Sequence, residues 1–143
     1  MSVTSPSGVR GSAFASRVFR VAAIYGLLVL VPQYFMEAKI GRDTPPPITH
    51  PEYFYGFVGV ALAWQLAFLL VARDPVRFRP LMPVAVVEKA TFGVATIALY
   101  LGGRLGAQML LAGLVDLLLG TLFVVSYLRT ANAADGDTSP RGR

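Results

Sequence analysis

The sequence predicts an all-α fold: an integral membrane, antiparallel four-helix bundle with N- and C-termini cytoplasmic. Three observations predict it. The first is composition. Of 143 residues, 55% are hydrophobic and only 15% charged, and the mean hydropathy is +0.58. A soluble domain of this size has too little interior to hide that much apolar surface, so lipid is the expected solvent. The second is segmentation into four apolar runs. Each is roughly 20 residues long, the length a helix needs to cross the hydrocarbon core. The third is the uneven placement of Lys and Arg between alternate connections.

Residues 1–16 are rich in Ser, Gly and Thr and read as a disordered cytoplasmic tail. The transmembrane domain spans 17–128. Its first helix covers about 18–36. The run from Val21 to Val31 has the apolarity of a signal-peptide core, but Tyr34-Phe35-Met36-Glu37 offers no small-residue cleavage site. Pro32 falls near the far end of the helix, where early termination is tolerated. Residues 37–51 form a loop. Thr49 is placed to cap the next helix, with Pro51 in its first turn and Glu52 at the capping-box position.

The second helix covers 53–72. Tyr53, Phe54, Tyr55 and Phe57 join Tyr34 and Phe35 in an aromatic belt at one membrane face. Residues 73–80 are the second loop, in which Asp74-Pro75 reads as a turn. The third helix covers 81–101, with Pro83 harmless in its first turn. Gly102-Gly103-Arg104-Leu105-Gly106 is a tight turn into the fourth helix, 107–128. Residues 129–143 read as a second disordered cytoplasmic tail.

Lys and Arg set the orientation. Arg10, Arg17, Arg20, Arg73, Arg77, Arg79, Arg129, Arg141 and Arg143 fall on one side, and Lys39, Arg42 and Arg104 on the other. The positive-inside rule then places both termini and the 73–80 loop in the cytoplasm. The implied location is a bacterial cytoplasmic (inner) membrane, crossed several times.

Charged residues within the apolar runs are the candidate site. Glu88 and Lys89 lie about two turns into the third helix, roughly 10 Å deep. Asp116 is near the middle of the fourth. Each ionised group at such a depth costs about 2.5–3.5 kcal/mol on insertion scales, so internal pairing is expected. Ala85, Lys89, Gly93 and Thr96 share one stripe of the third helix, and Gly113, Asp116 and Gly120 one stripe of the fourth. Small residues at such spacing let helices approach closely in lipid. Lys89 is therefore expected to pair with Asp116. Glu88, about 100° away on its helix, is expected to face Gln65, Tyr25 and Thr91. The buried polar set is thus Glu88, Lys89, Asp116, Gln65 and Tyr25.

Arg73, Arg77 and Arg79 suit contact with anionic lipid headgroups or a phosphate. Cys is absent and His50 is the only His, so thiol chemistry and bis-His haem ligation within a monomer are excluded. No metal site and no cofactor are expected: His50 and Glu52 are too few ligands. Nucleic acid is excluded as a partner, since no basic stripe is interleaved with aromatics. The expected partners are the lipid bilayer and a second copy or another membrane protein.

The run Asp74-Pro75-Val76-Arg77-Phe78-Arg79-Pro80, entering a helix that carries Glu88-Lys89, resembles a pattern of small four-helix bacterial membrane proteins, DoxX-like ones among them. The resemblance covers mainly residues 52–105. It implies a bacterial cytoplasmic-membrane protein and brings no mechanism or site residue. The residues themselves point to an accessory or interaction protein. The alternatives are a small proton-coupled transporter or channel unit, and a membrane enzyme acting on a lipid or isoprenoid through Glu88 or Asp116.

Overall fold

The computed structural model describes residues 6–135, with side chains for 11–130. The described residues are helical throughout their regular structure. Helix α1 is Pro6–Leu30, α2 Glu37–Asp43, α3 Pro51–Arg73, α4 Met82–Leu101 and α5 Ala107–Asp135. Short 3-10 segments, Val31–Phe35 and Arg79–Leu81, extend α1 and lead into α4. Four stretches are long and apolar enough to cross a membrane: Gly11–Phe35, Pro51–Arg73, Arg79–Leu101 and Ala107–Thr130.

Both expected tails need correction. Residues 6–16 continue α1, and 129–135 continue α5. The reason is packing: Ala15 is fully buried, and Gly11 lies so close to the Arg129 carbonyl that a side chain there would collide with it. Residues 1–5 and 136–143 lie outside the described residues.

The loop after α1 also differs from expectation, since α2 occupies its first half. Tyr55 Oη donates to Glu37 Oε2 at 2.7 Å and its ring stacks on Tyr34 at 5.8 Å, which ties α2 to the spans. At the start of α3 the N-cap residue is His50, not Thr49, and no side chain caps it. His50 Nδ1 sits 3.1 Å from Glu52 Oε1 instead. The Asp74-Pro75 turn forms as expected, Asp74 Oδ1 accepting the Arg77 N–H at 3.0 Å. Gly103 takes φ +69°, the left-handed conformation that glycine adopts without strain, and so ends α4.

α1 and α5 are the two inner helices: α1 packs against α3 and α5, and α5 packs against α1 and α4. The α3 and α4 backbones stand further apart and meet through side chains, Phe68 beside Lys89 and Phe57 near Phe92. The inner stripe of α1, Gly11, Ala15, Phe19, Ala22 and Gly26, is small apart from Phe19. Phe19 stacks on Phe123 at 4.1 Å and meets Phe68 edge-on at 5.8 Å. Phe68 and Phe123 close the trio at 5.0 Å, so one aromatic cluster joins α1, α3 and α5. Along α1 and α3 the contact partners run in opposite senses. Ser16 donates to the Ala72 carbonyl at 2.6 Å near the start of α1, whereas Tyr34 lies under Gly59 beyond its end.

The two ends of the helices differ in charge. Arg17, Arg20, Arg73, Arg77, Arg79 and Arg129 gather at one end, where the described residues include only two acids, Asp74 and Asp135. The other end mixes Lys39, Arg42 and Arg104 with Glu37, Asp43 and Glu52. The aromatic belt lies at this second, balanced end.

Candidate functional site

The α4–α5 seam positions the buried charges. Met82, Ala85, Lys89, Gly93 and Thr96 are the buried residues of α4, the face that helical spacing predicts. Opposite them stand Gly113, Asp116 and Gly120. Thr96 fills the space left by Gly113, Leu117 covers Gly93, and the Lys89 stem crosses Gly120. A Cβ at Gly93 would also lie 2.9 Å from the Gly113 carbonyl oxygen. Absent side chains on both helices therefore set the separation at which Lys89 reaches α5.

Lys89 Nζ lies 3.2 Å from both oxygens of Asp116, the partner expected for it. It also donates to Glu88 Oε1 at 3.4 Å. The three N–H donors of the ammonium thus have three carboxylate acceptors. Glu88 Oε2 is 3.3 Å from the same nitrogen, close enough for ionic attraction but not aligned for a hydrogen bond. That oxygen is buried and has no hydrogen-bond partner among the described residues. The Phe68 ring of α3 covers the cation, its centroid 5.5 Å from Nζ. The side chain of Lys89 is 8% exposed, against 15% for Asp116 and 20% for Glu88.

The expected company of Glu88 does not assemble. Gln65 is buried, but in the α1–α3 contact, where its Nε2 donates to the Ala61 carbonyl at 3.0 Å and its amide fills the space beside Gly26. Tyr25 is not buried: it is 41% exposed on the outside of α1. Thr91 Oγ1 accompanies the Glu88 backbone carbonyl at 3.0 Å and not its carboxylate. Depth along the axis matched these groups, but rotation about each axis separated them. The long Lys89 stem bends far enough to serve both neighbours.

The three arginines of the 73–80 loop divide. Arg79 is committed inside the molecule: its guanidinium lies 3.9 Å from the Tyr127 ring centroid and its Nε donates to the Tyr127 carbonyl at 3.3 Å. Arg73 and Arg77 are exposed. No group of three His, Cys, Asp or Glu that could hold a metal ion occurs among the described residues.

A separate, open cleft of about 230 Å³ lies on the α3–α4 side of the molecule, lined by Val60, Ala63, Trp64 and Ala67 of α3 and by Leu81 of the 3-10 turn before α4. It is apolar, and none of the charged triad lines it. Its signal in the sequence is the recurrence of small residues on α3, with Ala63 and Ala67 one turn apart and Gly56 and Val60 continuing the same face. The aromatic trio has a weaker signal, since Phe19, Phe68 and Phe123 lie in three different apolar runs. Comparisons with protein-family models, curated proteins and solved structures found no match to this chain.

Proposed function

We propose that the chain is a multi-pass integral membrane protein whose spans stand as an antiparallel four-helix bundle in a bacterial cytoplasmic membrane. Both termini and the 73–80 loop face the cytoplasm, because the arginine-rich end is the one retained there. The likeness of residues 74–80 to DoxX-like proteins is consistent with that membrane and assigns no site. In it the protein acts as an accessory or interaction protein, whose partner is another membrane protein or a second copy.

The observation that carries this reading is the closure of the buried charges. All three Lys89 donors are taken up by Asp116 and Glu88 within the molecule, so the triad locks α4 to α5 and offers no donor to a ligand. The outer surface supports the same reading. In each candidate span only 22–28% of the most apolar window is buried inside the molecule, which leaves most of every helix to lipid or to a partner helix.

A second reading, a small proton-coupled transporter or channel unit, has one observation in its favour. Fully ionised, the triad carries one net negative charge, and Glu88 Oε2 lacks a donor. Liposomes holding the purified protein and an internal pH-sensitive dye separate the two. The accessory reading expects no proton flux above that of protein-free liposomes. Flux that vanishes in Asp116→Asn would install the second reading. Orientation is read in cells, using the natural absence of Cys. Val76→Cys should be shielded from an impermeant thiol reagent and Ile48→Cys should label. The reverse pattern would invert the bundle.

A further inference from the structure

We infer that the α3–α4 cleft is a binding site for an anionic phospholipid, with one acyl chain lying along α3 and the headgroup phosphate held by Arg73 and Arg77. The inference rests on the membrane reading above and deepens its loop contact into a site with a defined occupant.

The cleft has the dimensions and chemistry of a chain site. From Val60 to Ala67 it follows α3 for about 10 Å. Its lining is almost entirely apolar, and Ala63 and Ala67 supply the concavity by lacking bulk. In lipid no hydrophobic force draws α3 and α4 together across such a gap, because acyl chains are as apolar as the helices. A chain in the cleft therefore competes with nothing.

Charge selects the headgroup. Leu81, one wall of the cleft, closes the 3-10 turn that follows the arginine loop, and its N–H donates to the Phe78 carbonyl at 3.0 Å. The Arg77 guanidinium lies 5.5 Å from the Phe78 ring centroid, so a cation stands on the turn that leads into Leu81. Arg73 ends α3, the other wall. Among the described residues neither arginine has a carboxylate ion-pair partner. Guanidinium forks match phosphate oxygens in planar, bidentate geometry. A zwitterionic headgroup brings its own cation into this arginine-rich end and is disfavoured there.

The test is thermal unfolding of the full chain in one neutral detergent. Dioleoyl phosphatidylglycerol should raise Tm by at least about 5 °C more than dioleoyl phosphatidylcholine at equal concentration. Inorganic phosphate and the short-chain dihexanoyl phosphatidylglycerol should leave Tm near its lipid-free value. Arg73→Gln with Arg77→Gln should bring the phosphatidylglycerol gain down to the phosphatidylcholine level. Ala63→Leu with Ala67→Leu, which fills the cleft, should at least halve that gain. Equal gains from the two dioleoyl lipids overturn the inference. So does a full gain from inorganic phosphate, which would make the site one for free phosphate, or an undiminished gain in the filled cleft. The comparisons on the unsubstituted chain decide the matter even if a variant does not fold. Membrane integration is read separately, by retention in the membrane fraction after carbonate washing. A chain that stays there without lipid selectivity fails this inference alone.

Discussion

Two pairs of consecutive spans meet in different ways. α4 and α5 close on each other along their length, with Gly93, Gly113 and Gly120 at the contact and Lys89 bonded across it to Asp116. The α3 and α4 backbones stand apart: Phe68 reaches Lys89 and Phe57 comes near Phe92, and an apolar cleft opens along α3 beside the turn that leads into α4. Both pairs are strongly apolar, so hydrophobicity does not explain the difference. In a bilayer, lipid satisfies an apolar face as well as a neighbouring helix does. Close packing over small residues and the pairing of polar groups are what draw helices together. The α4–α5 seam has both. Across the cleft α3 offers only Val60, Ala63, Trp64 and Ala67.

Breaking the seam should therefore be costly and altering the cleft cheap. The largest effect is expected for Lys89→Met, which leaves two buried carboxylates without their cation. Removing one partner of a buried pair costs about 3–5 kcal/mol. Adding Asp116→Asn should recover much of that loss. Thermal unfolding of the single and double variants measures both, and a tolerated Lys89→Met would show that the pair does not hold the seam.

Gly113→Leu should come next, at about 1–3 kcal/mol for overpacking, because its side chain would occupy the position of Thr96. Gly120→Leu should cost less, since the first added atom meets only the Lys89 Cβ, at 3.3 Å. Equal losses at the two glycines, read on the same unfolding curves, would show that the seam is packed as tightly at Gly120 as at Gly113.

The two carboxylates should also separate. Asp116 receives two Lys89 bonds at 3.2 Å, and Glu88 one at 3.4 Å. Glu88→Gln is expected to cost about 1 kcal/mol or less, and Asp116→Asn distinctly more. A larger loss for Glu88→Gln would reverse the ranking of the partners. The smallest effect belongs to the open side. Gly56→Leu, where an added Cβ meets nothing within 4 Å, should shift stability by no more than about 0.5 kcal/mol in lipid-free detergent. A loss there comparable to that of Gly113→Leu would mean that the outer face of α3 is already occupied.

Much of the seam was legible before any coordinates. The stripe Ala85, Lys89, Gly93 and Thr96 follows from helical spacing alone, and its pairing with Asp116 from a short turn that holds two helices together. The error over Glu88 has a definable origin. Residues at equal depth on different helices are neighbours only if both helices are rotated to bring them inward. α1 is apolar around most of its circumference, so Tyr25 carried no mark of facing outward. The small stripe Gly11, Ala15, Ala22 and Gly26 was such a mark for the packed face, at whose flank Tyr25 turns outward. The buried start of α1 was hidden for a related reason: a Ser- and Gly-rich composition suggests a tail unless the same residues serve as a close-packed helix face.

The sequence by itself determined the four apolar spans, the glycine turn between the last two, and the gathering of arginines at one end. These are properties of local composition: a run of apolar residues is long enough to cross a bilayer, or not, whatever its neighbours do. Only the tertiary structure decided which helices touch, that α1 and α5 are the inner pair, that Lys89 serves two carboxylates, and that α3 and α4 leave a cleft. Those outcomes depend on the rotation and separation of whole helices. Such quantities come from the summed fit of many side chains, with no aqueous phase inside the bilayer to favour one apolar face over another.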